Sequence, residues 1–433
     1  MSPVQAKTGR QPDVVIVGGG AIGAVTAYEL ACRGINVTLL ERGGELAAGC
    51  SSGNAGLMRT SHAMPSATRS NLIAGLRWML RRDSPFYIRP RLAIVPWLLR
   101  FAAATAKRRV EAGTRVLRAL SKTSLQLHAA YLQEGFRTGF EISGVADVYE
   151  TITTFAAGYQ EAQHLEQEGY QVKILDAETI RELFPRMSSK IAGVILYPGD
   201  PHCEPHRFVK EMGAAAIAAG AIIRTGVEVL GFERSNSSVT GVRTSAGDLH
   251  PGEIVLAAGV WSVGLAKQLG MHLPIEGAKG YHVDIKKSVS DPRVPMILNE
   301  ARVSCTPLQD VLRFSGTLEL SGLDTTLNEV RVGAIKAAAR KNLGDFPESQ
   351  ITDIWAGLRP CSSDGLPIIG RSEGLANLVF ATGHGMSGLH LGPVTGRLVA
   401  ELITGQPLSH DLTPLSPDRF RLFTLGRRNG LAS

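Results

Sequence analysis

The chain of 433 residues is poor in cysteine and aromatic residues and has no long apolar run. Its five cysteines are scattered and never form a C-x-x-C pair, which argues against a disulfide framework or a structural zinc site and fits a reducing compartment. No stretch of about 18 uncharged apolar residues is present, so we expect no membrane span. Residues 1–12 are polar and lack the apolar segment of a signal peptide. We therefore expect a cytoplasmic protein, either free or peripheral at the inner face of the membrane.

Positive charge is in modest excess, since Lys and Arg number 46, Asp and Glu number 39, and the formal net charge is +7. This excess either favours anionic partners or serves solubility, and composition does not decide between the two. No long basic run carries interleaved aromatic residues, so we expect no nucleic-acid partner. The length, with 44% hydrophobic residues, predicts two or three domain-sized units.

A glycine-rich turn follows the first apolar run of the chain. Residues 13–17 (Asp-Val-Val-Ile-Val) predict a short, buried parallel strand. Gly18-Gly-Gly20-Ala-Ile-Gly23 follows at once, and the pattern in Ala24–Arg33 predicts a helix that ends near Gly34. Strand, glycine turn and helix in this order are typical of a dinucleotide-binding unit.

The spacing of the glycines has a physical reason at each position. Gly18 allows a tight turn, Gly20 lets the backbone approach a pyrophosphate, and Gly23 permits close packing of the helix on the strand. The N-terminus of the helix then faces the phosphates. Ile35–Leu40 predicts the second strand, and Glu41 at its end is placed to accept hydrogen bonds from ribose hydroxyls.

The residues after Glu41 distinguish between two dinucleotides. Residues 48–56 are a second run of small residues, Ala-Gly-Cys-Ser-Ser-Gly-Asn-Ala-Gly. Such a run lets the backbone pass close to a flat ring system and offers N–H and hydroxyl donors to it. In an NAD enzyme the second strand normally leads into an ordinary helix. The run therefore favours FAD.

Arginines and aromatic residues mix in Leu72–Arg82 and Ile88–Arg109, which Pro85, Pro90 and Pro96 interrupt. One interpretation is a basic amphipathic surface that touches a membrane. The other is a set of helices that cover a substrate domain with their arginines facing water. The imperfect periodicity favours the second interpretation.

Two histidines four residues apart, His202 and His206, raise the question of a metal site. Pro205 breaks the helix on which this spacing would place both side chains on one face. It predicts instead the first residue of a helix that runs to Ala219. We expect no metal ion here.

Two later segments repeat the nucleotide theme. Residues 222–232 alternate as one strand, and Val227 lies where backbone often brackets an adenine. Residues 253–262 again predict strand, glycine turn and helix, with Gly259 at the turn.

Two strand-like segments, Gly280–Val283 and Val311–Thr317, contain Tyr281 and Arg313. An isolated arginine inside an apolar strand is costly unless it is paired or faces a site. Arg313 therefore faces either a substrate carboxylate or an acid of the protein, and the sequence favours neither.

The C-terminal part returns to glycine-rich turns. Trp355-Ala-Gly-Leu-Arg-Pro360 precedes Asp364-Gly-Leu-Pro-Ile-Ile-Gly370 and a strand at Leu378–Ala381. Gly383-His-Gly-Met-Ser-Gly388 then opens a helix that runs through residues 400–402. A turn that feeds a helix N-terminus places N–H groups and a positive dipole end at one point, which favours negative charge on a reduced flavin ring.

Together, GGGAIG…E, GLRP-x3-DG-x-P-x-IG and TGHGMSG resemble the D-amino-acid oxidase superfamily over nearly the whole chain. The runs SSGNAG, SPFYIRPR and PWLLRF are most similar to bacterial D-amino acid dehydrogenases and to related glyphosate and D-hydroxyproline oxidoreductases. D-alanine-type enzymes usually read GHGTLGW where this chain has GHGMSGLH. Met386 to His390 border the flavin in this resemblance, and their departure argues against D-alanine itself.

The resemblance implies which residues hold FAD. Its phosphates, ribose, adenine and ring would contact Gly18, Gly20, Ala21, Ile22, Gly23, Glu41, Arg42, Ser51, Ser52, Asn54, Ala55, Gly56, Val227, Ala258, Gly259, Gly357, Gly383, His384, Gly385, Met386, Ser387, Gly388 and Leu389. Arg313 would pair with the substrate carboxylate, Arg359 would lie close by, and Tyr281 would line the pocket. Cys361 is not placed where sarcosine oxidases attach their flavin, so we expect non-covalent FAD.

The resemblance also implies two domains built from non-contiguous segments, with FAD extended between them. A Rossmann-like α/β domain that binds FAD is expected at 13–84, 203–268 and 352–425. A substrate domain, α+β and built on a mostly antiparallel sheet, is expected at 85–202 and 269–351.

The implied reaction is oxidation of the C–N bond of a small amino acid, an enzyme activity of amino acid catabolism. Hydride passes from Cα to flavin N5, and the imine hydrolyses to a keto acid and ammonia. The first hypothesis is a D-amino acid dehydrogenase with a quinone or another membrane acceptor. The second is an oxidase of glycine, sarcosine or an N-substituted glycine, which passes electrons to oxygen and releases hydrogen peroxide. The third is a flavoprotein subunit without turnover, which an Arg313 buried against a protein carboxylate, together with no flavin bleaching, would support.

Overall fold

The computed structural model of the chain describes residues 11–78 and 84–421, apart from the side chains of 74 and 76–78. Its strands are β1 (Val14–Val17), β2 (Val37–Glu41), β3 (Phe86–Ile88), β4 (Val145–Tyr149), β5 (Lys173–Ile174), β6 (Gly193–Tyr197), β7 (Ile222–Thr225), β8 (Val229–Ser235), β9 (Ser238–Thr244), β10 (Glu253–Leu256), β11 (Ile275–Lys286), β12 (Met296–Leu298), β13 (Val303–Pro307), β14 (Val311–Leu320), β15 (Ile351–Ser362), β16 (Ile368–Ser372) and β17 (Leu375–Thr382). Its helices are α1 (Ala21–Ala31), α2 (Arg69–Trp78), α3 (Val95–Ala104), α4 (Lys107–Gln133), α5 (Ile152–Gln167), α6 (Ala177–Leu183), α7 (Pro205–Ala218), α8 (Ser262–Gln268), α9 (Glu329–Leu343) and α10 (Gly392–Thr404).

A six-stranded sheet has the order β16-β17-β10-β1-β2-β7. Its five members from β17 to β7 run parallel, and β16 is antiparallel to β17. All four residues of β1 are buried, because α1, α7 and α10 cover one face of the sheet and a separate apolar cluster covers the other. Strands buried on both faces are continuous apolar runs, which is the pattern of Val14–Val17.

A second, nine-stranded sheet has the order β15-β11-β14-β13-β12-β4-β6-β5, with β3 beside β14. Its pairs are antiparallel except β12 with β4 and β14 with β3. Alternate residues of β11, among them Tyr281, Val283 and Ile285, enter a core with α9. The predicted fold class, a Rossmann-like α/β unit beside an α+β unit on a mostly antiparallel sheet, is confirmed.

The predicted domain boundaries remain predictions, but one strand bears on them. β15 pairs with β11 along its length and so belongs to the nine-stranded sheet, although segment 352–425 was expected in the FAD-binding unit. The predictions placed on Arg81, Arg82 and residues 422–425, and on the side chains of Arg77 and Trp78, lie outside the described residues.

Two predicted elements are wrong in their extent. Residues 222–232 form two strands in different sheets, because Gly226 has a positive φ of 70° and turns the chain between them. The turn 383–388 does not open a helix directly, since α10 begins at Gly392 after a further turn in which Leu391 N–H donates to the Ser387 carbonyl (2.8 Å).

Other predictions are confirmed. Pro205 is the first residue of α7, and residues 253–262 form β10, a 3₁₀ turn at Gly259–Trp261 and the start of α8. His202 lies before α7 and is buried with its Nδ1 3.0 Å from Ser143 Oγ, whereas His206 is exposed on the helix.

The described part of the basic segment contains α2, α3 and the start of α4. Trp97 of α3 is buried, its indole N–H donates to the Cys361 carbonyl (3.1 Å), and its ring stacks on Phe101. Among the described residues, no helix has the length and apolar character needed to cross a membrane.

Candidate active site

A cavity of about 700 Å³ lies at the carboxyl edge of the six-stranded sheet, where β1, β2 and β10 end. Gly18, Glu41 and Ala258 line this side of the cavity. The opposite wall comes from the nine-stranded sheet, through Gly280 of β11 and residues 355–360 of β15. Parallel α/β sheets bind ligands at this edge, so the topology alone marks the cavity as the candidate site.

The cavity contains most of the residues predicted to hold the cofactor. Its walls include Gly18, Gly20, Ala21, Ile22, Glu41, Arg42, Ser51, Asn54, Val227, Ala258, Gly259, Gly357, His384, Gly385, Gly388 and Leu389. They do not include Gly23, Ser52, Ala55, Gly56, Gly383, Met386 or Ser387.

Two of the glycines that do not line the cavity, Gly23 and Gly56, support the residues that do, through close backbone packing. A Cβ at Gly23 would lie 1.9 Å from the Gly18 carbonyl oxygen, so only glycine allows α1 to pack this closely on the turn. A Cβ at Gly56 would lie 2.4 Å from the Cys203 carbonyl oxygen, and Gly56 has a positive φ of 79°.

The turn at Gly18–Gly23 fits a phosphate group. Gly20 at the N-cap of α1 has no side chain, and Ala21 and Ile22 line the cavity, so the helix N-terminus faces the cavity with only the Ala21 N–H engaged by a side chain, Ser51 Oγ, among the described residues. At Gly20 a Cβ would meet only Ser51 Oγ, at 3.0 Å, which leaves the backbone free for close approach. Ser51 Oγ also accepts the Ala21 N–H (3.0 Å) and so ties the second small-residue run to the helix.

Glu41 stands at the expected end of β2. Its carboxylate accepts the N–H groups of Gly19 and Gly43, both at 2.7 Å, which fixes its orientation. Each carboxylate oxygen still has a lone pair available, so ribose hydroxyls can donate to it. Arg42 beside it lies over the ring of Trp261, 3.9 Å from the centroid, at the far end of the cavity.

The C-terminal turn forms another part of the wall. Asn54 Nδ2 donates to the Met386 carbonyl (3.2 Å), which connects the small-residue run to this turn. His384 is buried with Nε2 3.0 Å from Thr395 Oγ1. Burial lowers the pKa of His384 to about 3, so the ring is neutral at physiological pH.

Arg359 is a cation inside the cavity, and no acidic residue that the structure describes pairs with it. Its Nη1 donates to the Thr317 carbonyl (2.8 Å), and within the described ranges no carboxylate lies in salt-bridge distance. Its guanidinium occupies the space that a Cβ of Gly280 would fill, 2.2 Å away. Desolvation lowers the pKa of Arg359, which is half-buried, so its charge is costly without a partner. This is the property expected of a residue that meets an anionic ligand.

Arg313 and Tyr281, for which the resemblance implies contact with substrate, are not among the residues that line the cavity. Arg313 pairs with Asp284 through two hydrogen bonds, at 2.9 and 2.8 Å, which is the pairing with a protein acid that the sequence left open. Tyr281 faces the opposite side of β11, where its hydroxyl donates to Glu319 (2.7 Å) in the α9 core. Strand alternation explains this placement, because Gly280 faces the cavity and its neighbour must face away.

Sequence reasoning missed several wall residues: Cys50, Gly53, Trp261, Gly280, Thr325 and Trp355. Trp355 could have been found, since residues 355, 357 and 359 of one strand share a face. Its indole packs where a Cβ of Gly53 or of Gly357 would lie, 2.0 Å away in each case. It also stacks on His282, with 5.3 Å between ring centroids.

One acidic cluster near the cavity has the composition of a metal site. Ligand atoms of His282, Asp284 and Asp353 lie within 4.8 Å of one another. Asp284 is already neutralised by Arg313, so a cation there would face the guanidinium. The cluster carries no metal assignment.

A glycine-lined cavity at the carboxyl edge of a parallel sheet, with an open helix N-terminus and a carboxylate at the end of β2, defines a dinucleotide-binding protein. The comparisons with known proteins make this more specific. Residues 13–402 match the family of FAD dependent oxidoreductases, and the chain belongs to this family. Its cofactor is therefore FAD, and the chain is an oxidoreductase.

Relatives of similar length are known. A D-amino acid dehydrogenase of Paramagnetospirillum magneticum is 32% identical over 416 residues, which cover 94% of this chain and 98% of that protein. A D-amino acid dehydrogenase of Bradyrhizobium diazoefficiens is 30% identical over 422 residues, with 94% and 98% covered.

Solved structures share the fold. Glycine oxidase from Geobacillus kaustophilus has a TM-score of 0.74 at 24% identity and covers 95% of this chain and 99% of its own. Glycine oxidase from Bacillus cereus has a TM-score of 0.71 at 25% identity, with 92% and 97% covered.

Proposed function

We propose that the chain oxidises the Cα–N bond of a small amino acid, as a D-amino acid dehydrogenase does, and yields a keto acid and ammonia. The observation that carries the proposal is Arg359, a cavity cation without an acidic partner, in a member of the FAD dependent oxidoreductase family. The names of the relatives, D-amino acid dehydrogenases at 30 and 32% identity, support the same substrate class.

When bound, FAD would supply the two-electron acceptor for the hydride that leaves Cα, and the imine left behind would be hydrolysed by water to the keto acid and ammonia. The turn at Gly18–Gly23 and Glu41 would hold its phosphates and ribose. Ser51 and Asn54 would lie beside its ring, and the backbones of Val227 and Ala258 would bracket its adenosine half.

The chain contributes position and charge to the reaction rather than an acid or base. Arg359 would take the substrate carboxylate in a charge-assisted hydrogen bond and thereby orient Cα–H. His384 is held neutral by burial and is bonded to Thr395, so we give it no proton-transfer role. We propose that the substrate reacts as its neutral amine.

A second candidate is an oxidase of glycine, sarcosine or an N-substituted glycine. The indole of Trp355 packs on Gly357, and both lie on the same face of β15 as Arg359. The indole therefore narrows the part of the cavity beside Arg359. A narrow cavity favours a substrate with little or no side chain. The two candidates differ in the electron acceptor, which is a quinone for the first and oxygen for the second.

We propose that FAD is bound without a covalent bond. Cys50 is the wall cysteine, and burial raises the pKa of its thiol, which disfavours the nucleophilic thiolate. Precipitation of the holoprotein with acid should release all yellow colour into the supernatant. Colour retained in the pellet would contradict this.

We also propose a peripheral membrane contact through α3 and the turn before it. Leu92 and Leu99 are 92% and 67% exposed, and Val95 lies between them at helical spacing on the same surface. Arg108 and Arg109 are exposed at the start of the next helix, which suits an anionic surface. Co-sedimentation with vesicles containing anionic lipid should fall when Leu92 and Leu99 are both replaced by Ser. Equal sedimentation of the wild type and the double variant would contradict a membrane contact through Leu92 and Leu99.

The substrate class is tested by product analysis. Holoprotein with an artificial dye acceptor is incubated with D- and L-amino acids, glycine and N-methylglycine. The proposal expects keto acid and ammonia in a one-to-one ratio from a small D-amino acid. Turnover of glycine or N-methylglycine alone, with hydrogen peroxide formed from oxygen, would establish the second candidate instead.

A further inference from the structure

The guanidinium group of Arg313 joins the nine-stranded sheet to the loop at Ser52–Asn54. Nη1 donates to the carbonyl oxygens of Ser52 (2.6 Å) and Asn54 (2.9 Å). These contacts span about 260 residues of sequence, and both acceptors belong to the small-residue run on the cavity side. One planar group therefore fixes two backbone carbonyls that flank Gly53.

The other edge of the same guanidinium is fixed in turn. Nε and Nη2 donate to the two oxygens of Asp284, at 2.9 and 2.8 Å, on the neighbouring strand β11. Asp284 and Arg313 are both buried, so the pair is shielded from water and holds a defined geometry. The loop carbonyls thus receive donors whose direction is set by the sheet.

Three further contacts hold the same loop. Trp355 packs its indole against Gly53, Ser51 Oγ accepts from the Ala21 N–H, and Asn54 Nδ2 donates to the Met386 carbonyl. The first contact comes from the nine-stranded sheet, the second from the start of α1, and the third from the C-terminal turn. Unlike these three contacts, Arg313 binds the loop on both sides of Gly53, through the carbonyls of Ser52 and Asn54.

We propose that Arg313 is a positioning residue for the FAD ring, which acts through the carbonyls of Ser52 and Asn54 rather than through substrate. Its four hydrogen bonds already engage protein groups, and it does not line the cavity. Asp284 orients Arg313, and Arg313 fixes the distance between the loop at Ser52–Asn54 and the FAD ring. The effect of Arg313 on turnover rests on the proposed function, whereas its effect on FAD affinity and on the flavin spectrum requires only that FAD binds.

The test compares Arg313→Gln, Arg313→Lys and Asp284→Asn in the full chain, loaded with FAD. The loop contacts should loosen, so we expect the Kd for FAD to rise about tenfold in Arg313→Gln, which corresponds to the loss of a charged hydrogen bond. The flavin absorbance bands of the substrate-free protein should shift. With substrate, kcat should fall while KM changes little, because Arg313 does not touch the carboxylate. The Kd for FAD of Arg313→Lys should lie between those of the wild type and Arg313→Gln.

The pair gives an internal check. Arg313→Gln leaves Asp284 buried without its cation, so adding Asp284→Asn should recover stability without recovering the Kd for FAD. Asp284→Asn alone keeps the loop contacts but loses their orientation, and it should shift the flavin bands in the same direction by less. If Arg313→Gln does not fold, the Kd for FAD and the flavin spectra of Asp284→Asn and of Arg313→Lys still test whether Arg313 positions the ring.

Arg371 offers a matched control. It forms a two-bond pair with Glu253, at 2.6 and 2.9 Å, plus a bond to the Ala376 carbonyl, between β16 and β10 and off the cavity wall. Arg371→Gln should lower stability and leave the FAD Kd and spectrum unchanged.

Two outcomes would overturn the proposal. One is a wild-type FAD Kd and spectrum in Arg313→Gln together with a large rise in KM, which would make Arg313 a substrate ligand. The other is an effect no larger than that of Arg371→Gln on every readout. Because Kd and spectrum require no substrate, they test Arg313 even if no amino acid is oxidised.

Discussion

Arg359 and Arg313 carry the same guanidinium group but meet different partners, and this difference assigns their roles. Arg313 is paired with Asp284 and two backbone carbonyls, whereas Arg359 makes one bond to a carbonyl and lies in the cavity. A half-buried cation without an anion is unfavourable until a ligand supplies one. The resemblance implies the carboxylate role for Arg313, whereas we propose it for Arg359 on the basis of these contacts.

Replacing Arg359 by Gln should raise KM for an amino acid roughly 10- to 150-fold, the range for a charged hydrogen bond of about 1.5–3 kcal/mol. KM for the corresponding amino acid amide, which has no carboxylate, should change little. Steady-state kinetics with both substrates, and with Arg371→Gln as control, measure this. An equal effect on acid and amide would remove Arg359 from carboxylate binding.

Buried histidines make the fold sensitive to acid. Burial lowers the pKa of His128 and of His384 to about 3, and that of His390 to about 4, from 6.5. Because the folded pKa lies below the unfolded value, the unfolded chain binds more protons between about pH 6.5 and pH 4. Stability should therefore fall on acidification through this window, by up to about 1.4 kcal/mol per pH unit for each histidine.

Denaturant unfolding of the FAD-saturated protein at pH 7 and pH 5 measures this slope. His128→Gln should make the slope shallower, because one histidine no longer gains a proton on unfolding. A slope that is the same for wild type and variant would contradict the assignment of His128 as a neutral buried ring.

At the scale of elements, the start of α1 and the two loops beside it form one unit around the cavity. Gly20 presents bare backbone at the helix N-terminus, and Ser51 anchors the neighbouring loop to that terminus. A phosphate group needs both the open N–H groups and the space above them.

Gly20→Val should therefore abolish FAD binding, since its side chain would fill that space and press on Ser51. Absorbance of the purified protein and a fluorescence titration with FAD measure the effect. Gly333→Val is a control for the substitution itself, because no described atom outside the adjacent backbone of its own helix lies within 4 Å of a Cβ at that position. Yellow holoprotein from Gly20→Val would refute the phosphate role of this turn.

Elements with local signals were predictable, and those set by distant contacts were not. The strand, glycine turn and helix at residues 14–31 depend on neighbours in sequence, and so does Pro205 at the start of α7. The break at Gly226 was missed because alternation continues on both sides of it, although the two strands join different sheets. The start of α10 at Gly392 was missed because glycine turns resemble helix starts.

At the scale of the whole molecule, the site lies where two sheets of different topology meet. The six-stranded sheet supplies the dinucleotide turn and the nine-stranded sheet supplies Gly280, Trp355 and Arg359. Which arginine faces the cavity depends on pairing between β11, β14 and β15, and no local pattern determines it. The sequence could therefore predict most of the cavity wall that the six-stranded sheet supplies, whereas the wall with Gly280, Trp355 and Arg359 required the fold.

The central claim is that FAD in this cavity is reduced by a small amino acid. Holoprotein is mixed without oxygen with D- and L-amino acids, glycine and N-methylglycine, and the visible absorbance of the flavin is followed. We predict rapid bleaching by a small D-amino acid, loss of that response in Arg359→Gln at low substrate concentration, and recovery of the colour with a quinone. A holoprotein that keeps its full absorbance with every amino acid and amine would contradict the account and leave a flavoprotein without turnover.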